Sequence, residues 1–292
     1  MGDLVSHFLD IHTHIGCYRD ITNVNYPYYP WCKVTVETLI SYLESHDDAS
    51  AVILPIYSWN SGNSGFIMPT EYVLDICEKH PGRLIPFCVV EVREIYLSER
   101  ITRYVDMGCK GFGEHTSKIP VDHYCNLRLY KICGKLEIPI LMHIAASGSD
   151  DYGIFDTPDL KGIEKIAEQY SNVDFIMHGP GWWRCMSEKF NLEDSYPKGL
   201  IEQPGRTVYI LENYENVYGD LSAFSGYNAL TRDLSFAKYF LEKFNRKLLY
   251  GTDMEWFFSP ENSHLRLLEE LNLSEEALEN VLYKNAEKLI RG

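Results

Sequence analysis

The sequence has no long apolar run, no CxxC cysteine pair and no excess of basic residues. None of its 292 residues lies in an apolar run of the about 18 residues needed to cross a bilayer. Eight cysteines are too few for a disulfide scaffold, so we expect buried, reduced thiols in a cytoplasmic protein. Lysine and arginine total 27 against 42 aspartates and glutamates. The resulting formal net charge of −15 argues against nucleic-acid or membrane partners.

Targeting and linker segments are also lacking. Residues 1–6 carry no basic region and no long apolar stretch follows them, so we expect no signal peptide. Low-complexity tracts and long linkers rich in proline, glycine or serine are absent as well. A content of 45% hydrophobic and 24% charged residues is typical of a folded globular chain, and we predict one domain over residues 1–292.

One pattern recurs seven times: the end of an amphipathic helix runs through a polar turn into a short apolar strand. With an opening strand at residues 8–12, eight strands are predicted, ending near residues 12, 56, 90, 114, 143, 178, 222 and 253. Short, almost continuously apolar strands are typical of a parallel sheet covered by helices. Eight such units predict an α/β fold, a (β/α)8 barrel with elongated loops after the strands. The alternative is a doubly wound open sheet, but the glycine-rich turn expected after its first strand is replaced by His12-Thr13-His14.

Five of the eight predicted strands end in side chains that bind divalent metal ions. In a (β/α)8 barrel the active site lies at the carboxyl ends of the strands. Alternation along a strand puts the two histidines of the first strand on the same side. Each residue alone has an ordinary interpretation, such as a hydrogen-bonded buried histidine or a helix N-cap, but together they predict a metal centre. The predicted ligands are His12, His14, Glu114, His143, His178 and Asp253.

Four of these strand ends carry a family resemblance. The segments DIHTH at 10–14, PILMH at 139–143, FIMHG at 175–179 and LYGTD at 249–253 resemble the amidohydrolase superfamily. The resemblance is closest to the amidohydrolase-related metal-dependent hydrolases, a branch that also contains aminocarboxymuconate-semialdehyde and resorcylate decarboxylases. Residues 216–222 and 281–289 look like the seventh strand and the final helix of that branch, so the resemblance spans residues 8–290.

The resemblance implies that His12, His14, His143 and Asp253 hold a divalent ion. Imidazole and carboxylate ligands suit zinc, with manganese or iron as alternatives. The resemblance also implies that His178 either ligates a second ion or polarises the substrate. Because Asp253 is a carboxylate beside the metal-activated water, we expect it to act as the catalytic base. Glu114 is similar to the glutamate of the TatD-type hydrolases, which use it in a two-ion site. It could equally hold a water molecule or form a salt bridge, so one or two ions remain open.

The loops after the strands carry the predicted substrate contacts. Aromatic rings suit a planar or apolar substrate and arginine suits a carboxylate, although the same rings could pack a lid or a dimer interface. The candidates are Tyr18, Arg19, Trp59, Trp182 and Arg184. Other histidines outside the strand ends, among them His264, are expected to be solvated.

The leading functional hypothesis is a metal-dependent hydrolase of a small-molecule amide, ester or lactone. The alternative is a non-oxidative, metal-dependent decarboxylase of an aromatic or muconate-like acid. A nuclease is disfavoured by the acidic charge, and a purely structural metal site is disfavoured by the position of the ligands at the barrel rim. The expected partner is a small-molecule substrate, and a homodimer is possible.

Overall fold

The computed structural model describes residues 7–18, 29–30, 34–57, 66–146, 151–253 and 263–291. Parallel strands follow one another in chain order in two sheets, β1-β2-β3 and β4-β5-β6-β7-β8. Their bounds are β1 His7–Thr13, β2 Asp48–Ile53, β3 Leu84–Pro86, β4 Phe112–His115, β5 Ile140–His143, β6 Phe175–His178, β7 Val217–Asp220 and β8 Leu248–Leu249.

Backbone hydrogen bonds join the two sheets at both edges. Between β3 and β4, Cys88 accepts the Gly113 N–H at 2.9 Å and forms a parallel bridge with Phe112. Between β8 and β1, the Ile11 N–H donates to the Tyr250 carbonyl at 3.0 Å, and the Asp253 N–H donates to His12 at 2.8 Å. The eight strands therefore form a (β/α)8 barrel, as predicted. Strands β3 and β8 are shorter than expected, yet these bonds continue the barrel beyond them.

Helices connect the strands on the outside of the barrel. Helix α1 begins after Thr35, whose side chain accepts the Thr38 N–H, and α9 begins after Asp233, which caps Phe236 in the same way. The helices are α1 Val36–Glu44, α2 Thr70–Lys79, α3 Leu97–Asp106, α4 Tyr124–Leu136, α5 Lys161–Gln169, α6 Pro180–Trp183, α7 Arg206–Asn213, α8 Ala223–Thr231, α9 Leu234–Lys243, α10 Ser263–Glu270, α11 Glu275–Glu279 and α12 Asn285–Arg291. A 3-10 turn at Arg184–Met186 follows α6, and a π-helical turn at Asn280–Lys284 joins α11 to α12.

Short strands extend the loops at the carboxyl ends of the barrel. Cys17–Tyr18 pairs with Tyr29–Pro30, Ile56–Tyr57 with Phe66–Met68, and Ser117–Pro120 with Gly153–Phe155. None of the helices in the described ranges is long and apolar enough to cross a membrane. Six cysteines are buried and unbridged: Cys77, Cys88, Cys109, Cys125, Cys133 and Cys185.

The apolar side chains form two layers. Inward-facing residues such as Leu9, Ile11 and Phe87 fill the barrel, and Ile290 of α12 packs against this inner cluster. A larger cluster, which includes Phe8 and Phe240, lies between the strands and the surrounding helices. Tight packing on both sides of the strands fixes the carboxyl ends, where the polar side chains gather.

Candidate metal centre

His12 and His14 face each other at the end of β1. Their Nε2 atoms are 3.0 Å apart, while His12 Nδ1 lies 2.6 Å from Asp220 Oδ2 and His14 Nδ1 lies 3.1 Å from the Leu54 carbonyl oxygen. If each Nδ1 donates to its oxygen partner, both Nε2 lone pairs point at the same space. Two nitrogens bound to one ion at about 2.1 Å and at a right angle would lie about 3.0 Å apart. The pair is therefore shaped as two ligands of one cation.

Two carboxylates complete this first ligand group of His12, His14, Glu114 and Asp253. Glu114 oxygens lie 4.0 Å from His12 Nε2 and 3.7 Å from His14 Nε2, and Asp253 Oδ1 lies 3.9 and 3.8 Å from the same atoms. Ligands on opposite sides of an ion are separated by about 4.2 Å, so these spacings fit one site. Asp253 Oδ1 is buried without a hydrogen-bond partner among the described residues, as expected of an oxygen that binds a cation.

Glu114 also belongs to a second ligand group with His143 and His178. Its Oε1 lies 2.8 Å from His143 Nδ1, and the ligand atoms of the three residues lie within 4.8 Å of one another. His178 Nε2 is buried and has no hydrogen-bond partner in the described part of the chain. Glu114 thus lies between two sets of potential ligands.

The pKa values of the buried histidines and carboxylates at the centre are set by burial and by the charges of their neighbours. Burial lowers the pKa of His12, but the carboxylates of Asp220, Asp253 and Glu114 outweigh it and raise the value to about 10. Burial and the neighbouring His12 lower the pKa of His14. Burial raises the pKa of Glu114, but the surrounding histidines, His143 first, hold it well below its usual range. In this setting a proton or a metal cation has to lie between the two β1 imidazoles.

Asp220, at the end of β7, orients two of the histidines and was not singled out from the sequence. Its Oδ2 lies 2.6 Å from His12 Nδ1 and 3.2 Å from His178 Nδ1, and the Ser222 hydroxyl lies 3.0 Å from the same His178 nitrogen. Burial is outweighed by the two imidazoles, which hold the pKa of Asp220 well below its usual range. Carboxylates behind metal-binding histidines fix the tautomer and direction of the ring. Its place at a strand end was the only sequence signal.

Asp10 and Tyr152 were also missed, because their roles depend on residues far away in the sequence. The Asp10 carboxylate accepts the Thr252 N–H at 3.0 Å and the Thr252 hydroxyl at 2.6 Å, so it ties β1 to the backbone just before Asp253. Burial raises the pKa of Asp10 to about 7. The Tyr152 hydroxyl donates to Glu114 Oε2 at 2.7 Å, and its ring packs against His143 with centroids 4.8 Å apart.

Gly179 leaves room for His143. At this residue φ is +94°, and a Cβ atom would lie 2.8 Å from the Ile144 carbonyl oxygen and 3.0 Å from His143 Nε2. Only glycine combines this conformation with such a close approach. The FIMHG segment therefore ends in glycine for a reason specific to the site.

The structure brings together all six predicted ligands, although ligation itself stays a prediction. Among the predicted substrate contacts, Arg19 and Trp59 lie outside the described residues, and only the backbone of Tyr18 is described. Trp182 is completely buried, and Arg184 is buried, donates to the Leu192 carbonyl and packs over Phe190. Substrate contact by these residues stays a prediction.

One expectation about the other histidines was wrong. His264 is buried rather than solvated, with Nε2 3.0 Å from the Ala223 carbonyl oxygen. The reason is that α10 packs its apolar face, Leu265 and Leu268 included, against the barrel, and this carries His264 inwards. Burial lowers the pKa of His264 to about 4.

Known structures share the fold over nearly the whole chain. A 5-carboxyvanillate decarboxylase from Novosphingobium aromaticivorans, complexed with manganese and 4-hydroxy-3-methoxy-5-nitrobenzoic acid, superposes with a TM-score of 0.65 at 14% identity, and 100% of each chain is covered. A probable 2-pyrone-4,6-dicarboxylic acid hydrolase from Acinetobacter baumannii gives 0.62 at 16% identity, covering 98% of this chain and 100% of the other. A 2,6-dihydroxybenzoate decarboxylase from Rhizobium gives 0.61 at 13% identity, with 99% of each chain covered.

The family of the chain follows from its sequence. No curated protein matches it significantly. The family model described as amidohydrolase matches residues 59–292, well over half of the chain. The match includes the ends of β4, β5, β6 and β8, and the first strand supplies the two facing histidines. The resemblance noted from the strand ends is confirmed, and the chain belongs to the amidohydrolase family, a family of metal-dependent enzymes.

Proposed function

We propose that the protein is a metal-dependent hydrolase of a small-molecule amide, ester or lactone. The observation that carries this proposal is the position of Glu114, whose Oε1 lies 2.8 Å from His143 and whose Oε2 lies 3.7 Å from His14. A carboxylate shared by two ligand groups suits a centre of two ions, an arrangement common in hydrolases. Imidazole and carboxylate ligands suit zinc, with manganese and iron as alternatives.

Asp253 is the proposed general base. A divalent ion bound there supplies an acidified water and polarises the scissile carbonyl. The unpartnered Oδ1 of Asp253 faces the same space as His12 and His14, so it can accept the proton of the attacking water and return it to the leaving group. The Asp253 N–H bond to the His12 carbonyl holds that side chain at the rim.

The role of His178 depends on which of its two ring nitrogens carries the proton. If the Ser222 hydroxyl donates to Nδ1, then Nε2 carries the proton and can donate to a developing oxyanion. If instead Nδ1 donates to Asp220, Nε2 is free to ligate a second ion. Both roles use Nε2, which is buried and unpartnered among the described residues. Replacing Ser222, which contacts Nδ1, distinguishes them.

A decarboxylase of an aromatic or muconate-like acid is the second candidate. Two of the similar structures are decarboxylases of aromatic acids, and their likeness at 13–14% identity supports the fold alone. For that reaction Asp253 would act in its protonated form, delivering the proton to the carbon that loses carbon dioxide. The position of Glu114 between two ligand groups gives hydrolysis the stronger support.

Metal content per chain separates the two candidates. We would measure it by elemental mass spectrometry on protein purified without chelator, for the wild type and Glu114→Gln, with Glu164→Gln, a carboxylate paired with Arg206, as the control. About two equivalents, falling to about one only in Glu114→Gln, together with turnover of esters, lactones or amides, is the expected result. One equivalent in all three proteins, with carbon dioxide release from carboxylated phenols and no hydrolysis, would overturn the proposal.

A further inference from the structure

We propose that Tyr152, Tyr196 and Phe224 form an aromatic collar that binds a planar ring of the substrate and sets specificity for it. The inference rests on the proposed function only in taking the metal centre as the place where substrate reacts. Tyr152 and Tyr196 come from the loops after β5 and β6, and Phe224 is the second residue of α8, which follows β7. None of them was among the substrate contacts predicted from the sequence.

Phe224 is held directly beside the two residues proposed for catalysis. It follows Ser222, whose hydroxyl lies 3.0 Å from His178 Nδ1, and Ala223, whose N–H donates to the Thr252 carbonyl at 3.4 Å, next to Asp253. The backbone of Phe224 is thus anchored between the ends of β7 and β8. The residue is nevertheless 45% exposed.

The ring of Tyr196, in the loop after β6, packs against the ring of Phe224. The two rings meet edge to face, with centroids 4.9 Å apart and planes 65° from parallel, and the Tyr196 N–H donates to Asp194 Oδ1 at 2.9 Å. Burial and the negative charges of Asp151 and Asp253 raise the pKa of Tyr196, as expected for a hydroxyl close to the site. Tyr196 remains 37% exposed.

Tyr152 continues the collar on the β5 side. Its hydroxyl is fixed by Glu114 at 2.7 Å and its ring by His143, while the residue stays 39% exposed. The other exposed aromatics are not all at the site: Tyr239, 53% exposed, lies on α9, a helix that leads from β7 to β8. Tyr239 therefore serves as a matched control for an exposed ring placed away from the ligands.

Partly exposed rings anchored beside the candidate ligands suit a flat ligand. Aromatic pairs gain about 0.5–1.5 kcal/mol beyond the burial of area, which corresponds to about two- to tenfold in affinity. A saturated ring of the same size buries similar area but cannot stack edge to face or face to face. The collar should therefore select planar rings over saturated ones.

The test uses two ketones, which no hydrolase can cleave: acetophenone and cyclohexyl methyl ketone. Binding to the zinc-loaded protein is measured by saturation-transfer NMR for the wild type, Tyr196→Leu, Phe224→Leu and the control Tyr239→Leu. We expect acetophenone to bind about fivefold more weakly to the two collar leucine variants, with less than about a twofold change for the saturated ketone. Tyr239→Leu, whose ring lies away from the ligands, should retain wild-type selectivity. Circular dichroism and zinc content check that the variants are folded and loaded.

The result also separates this inference from the proposed function. Loss of acetophenone selectivity in Tyr196→Leu and Phe224→Leu supports the collar even if no ester, lactone or amide is turned over. Unchanged selectivity in both variants, or equal weakening of both ketones, overturns the collar even if the protein proves to be a hydrolase.

Discussion

Replacing Asp220 with asparagine keeps the size of the side chain and removes its charge, so it tests how the metal centre is held. Both carboxylate oxygens are used as acceptors. Oδ1 accepts the Ser222 N–H at 2.9 Å, and Oδ2 lies 2.6 Å from His12 Nδ1 and 3.2 Å from His178 Nδ1. Asparagine offers one acceptor oxygen, and its amide nitrogen only donates. Asparagine therefore cannot accept hydrogen bonds from both the Ser222 N–H and His12 Nδ1.

Each orientation of the amide has a defined cost. If its oxygen faces His12, its nitrogen meets the Ser222 N–H, and a buried donor without an acceptor costs about 1–3 kcal/mol. If its nitrogen faces His12, Nδ1 must accept, the proton moves to Nε2, and Nε2 can no longer bind a cation. We therefore expect the affinity for zinc to fall about 10- to 100-fold, or about 1.4–2.8 kcal/mol.

The assay is a competition titration of zinc between the apo-protein and a chromophoric chelator. Asp156→Asn is the matched control, because Asp156 is a carboxylate that accepts the N–H groups of Gly162 and Ile163 at the start of α5. We expect this control to lose stability and to keep its zinc affinity. Wild-type zinc affinity in Asp220→Asn, with the fold intact by circular dichroism, would refute the orienting role.

Three further predictions concern neighbouring groups. Ser222→Ala removes a hydroxyl from His178 and should lower kcat about fivefold with zinc content unchanged; an unchanged kcat would assign His178 to ligation. Gly179→Ala forces a Cβ into a backbone region reserved for glycine and against His143, so thermal denaturation should reveal a loss of about 3 kcal/mol, and wild-type stability would contradict the close approach. Burial lowers the pKa of His264 to about 4, so the folded state holds this imidazole neutral. Its contribution to folding stability is therefore complete above pH 6.5 and is lost as the pH falls towards 4, because the unfolded chain takes up the proton more readily. Over that range the free energy of unfolding, measured by urea denaturation, should fall by up to about 3 kcal/mol more for the wild type than for His264→Gln. The same dependence on pH in both proteins would exclude this role.

The barrel and the six candidate ligands could be predicted because both depend on local patterns. A buried parallel strand is an apolar run of a few residues, and a polar residue at its end is visible without knowledge of its neighbours. Thus His143 and His178 could each be identified from the short apolar run that precedes it. In the structure the same two residues are paired in register across β5 and β6.

The residues that support the ligands could not be found in this way. Tyr152 lies nine residues after His143 in an irregular loop, and its role appears only when its hydroxyl is seen on Glu114. Asp10 precedes the histidines of β1, yet its partner Thr252 is 242 residues away. His264 was wrongly expected in solvent, because the packing of α10 on the barrel overrides its local setting.

The charges around the centre bear on the number of ions it holds. Four carboxylates are buried there, those of Asp10, Glu114, Asp220 and Asp253. Asp10, with a pKa raised by burial to about 7, is partly neutral near pH 7, whereas Glu114 and Asp220 are held ionised. Buried charges are tolerated when they are paired, and histidines that bind a metal do so in their neutral form. With the histidines neutral, the two negative charges of Glu114 and Asp220 equal the charge of one divalent ion, and a second ion would add positive charge able to attract an anionic group. A second ion therefore depends on the arrangement of ligands around Glu114, which is why the metal content of Glu114→Gln is the decisive measurement.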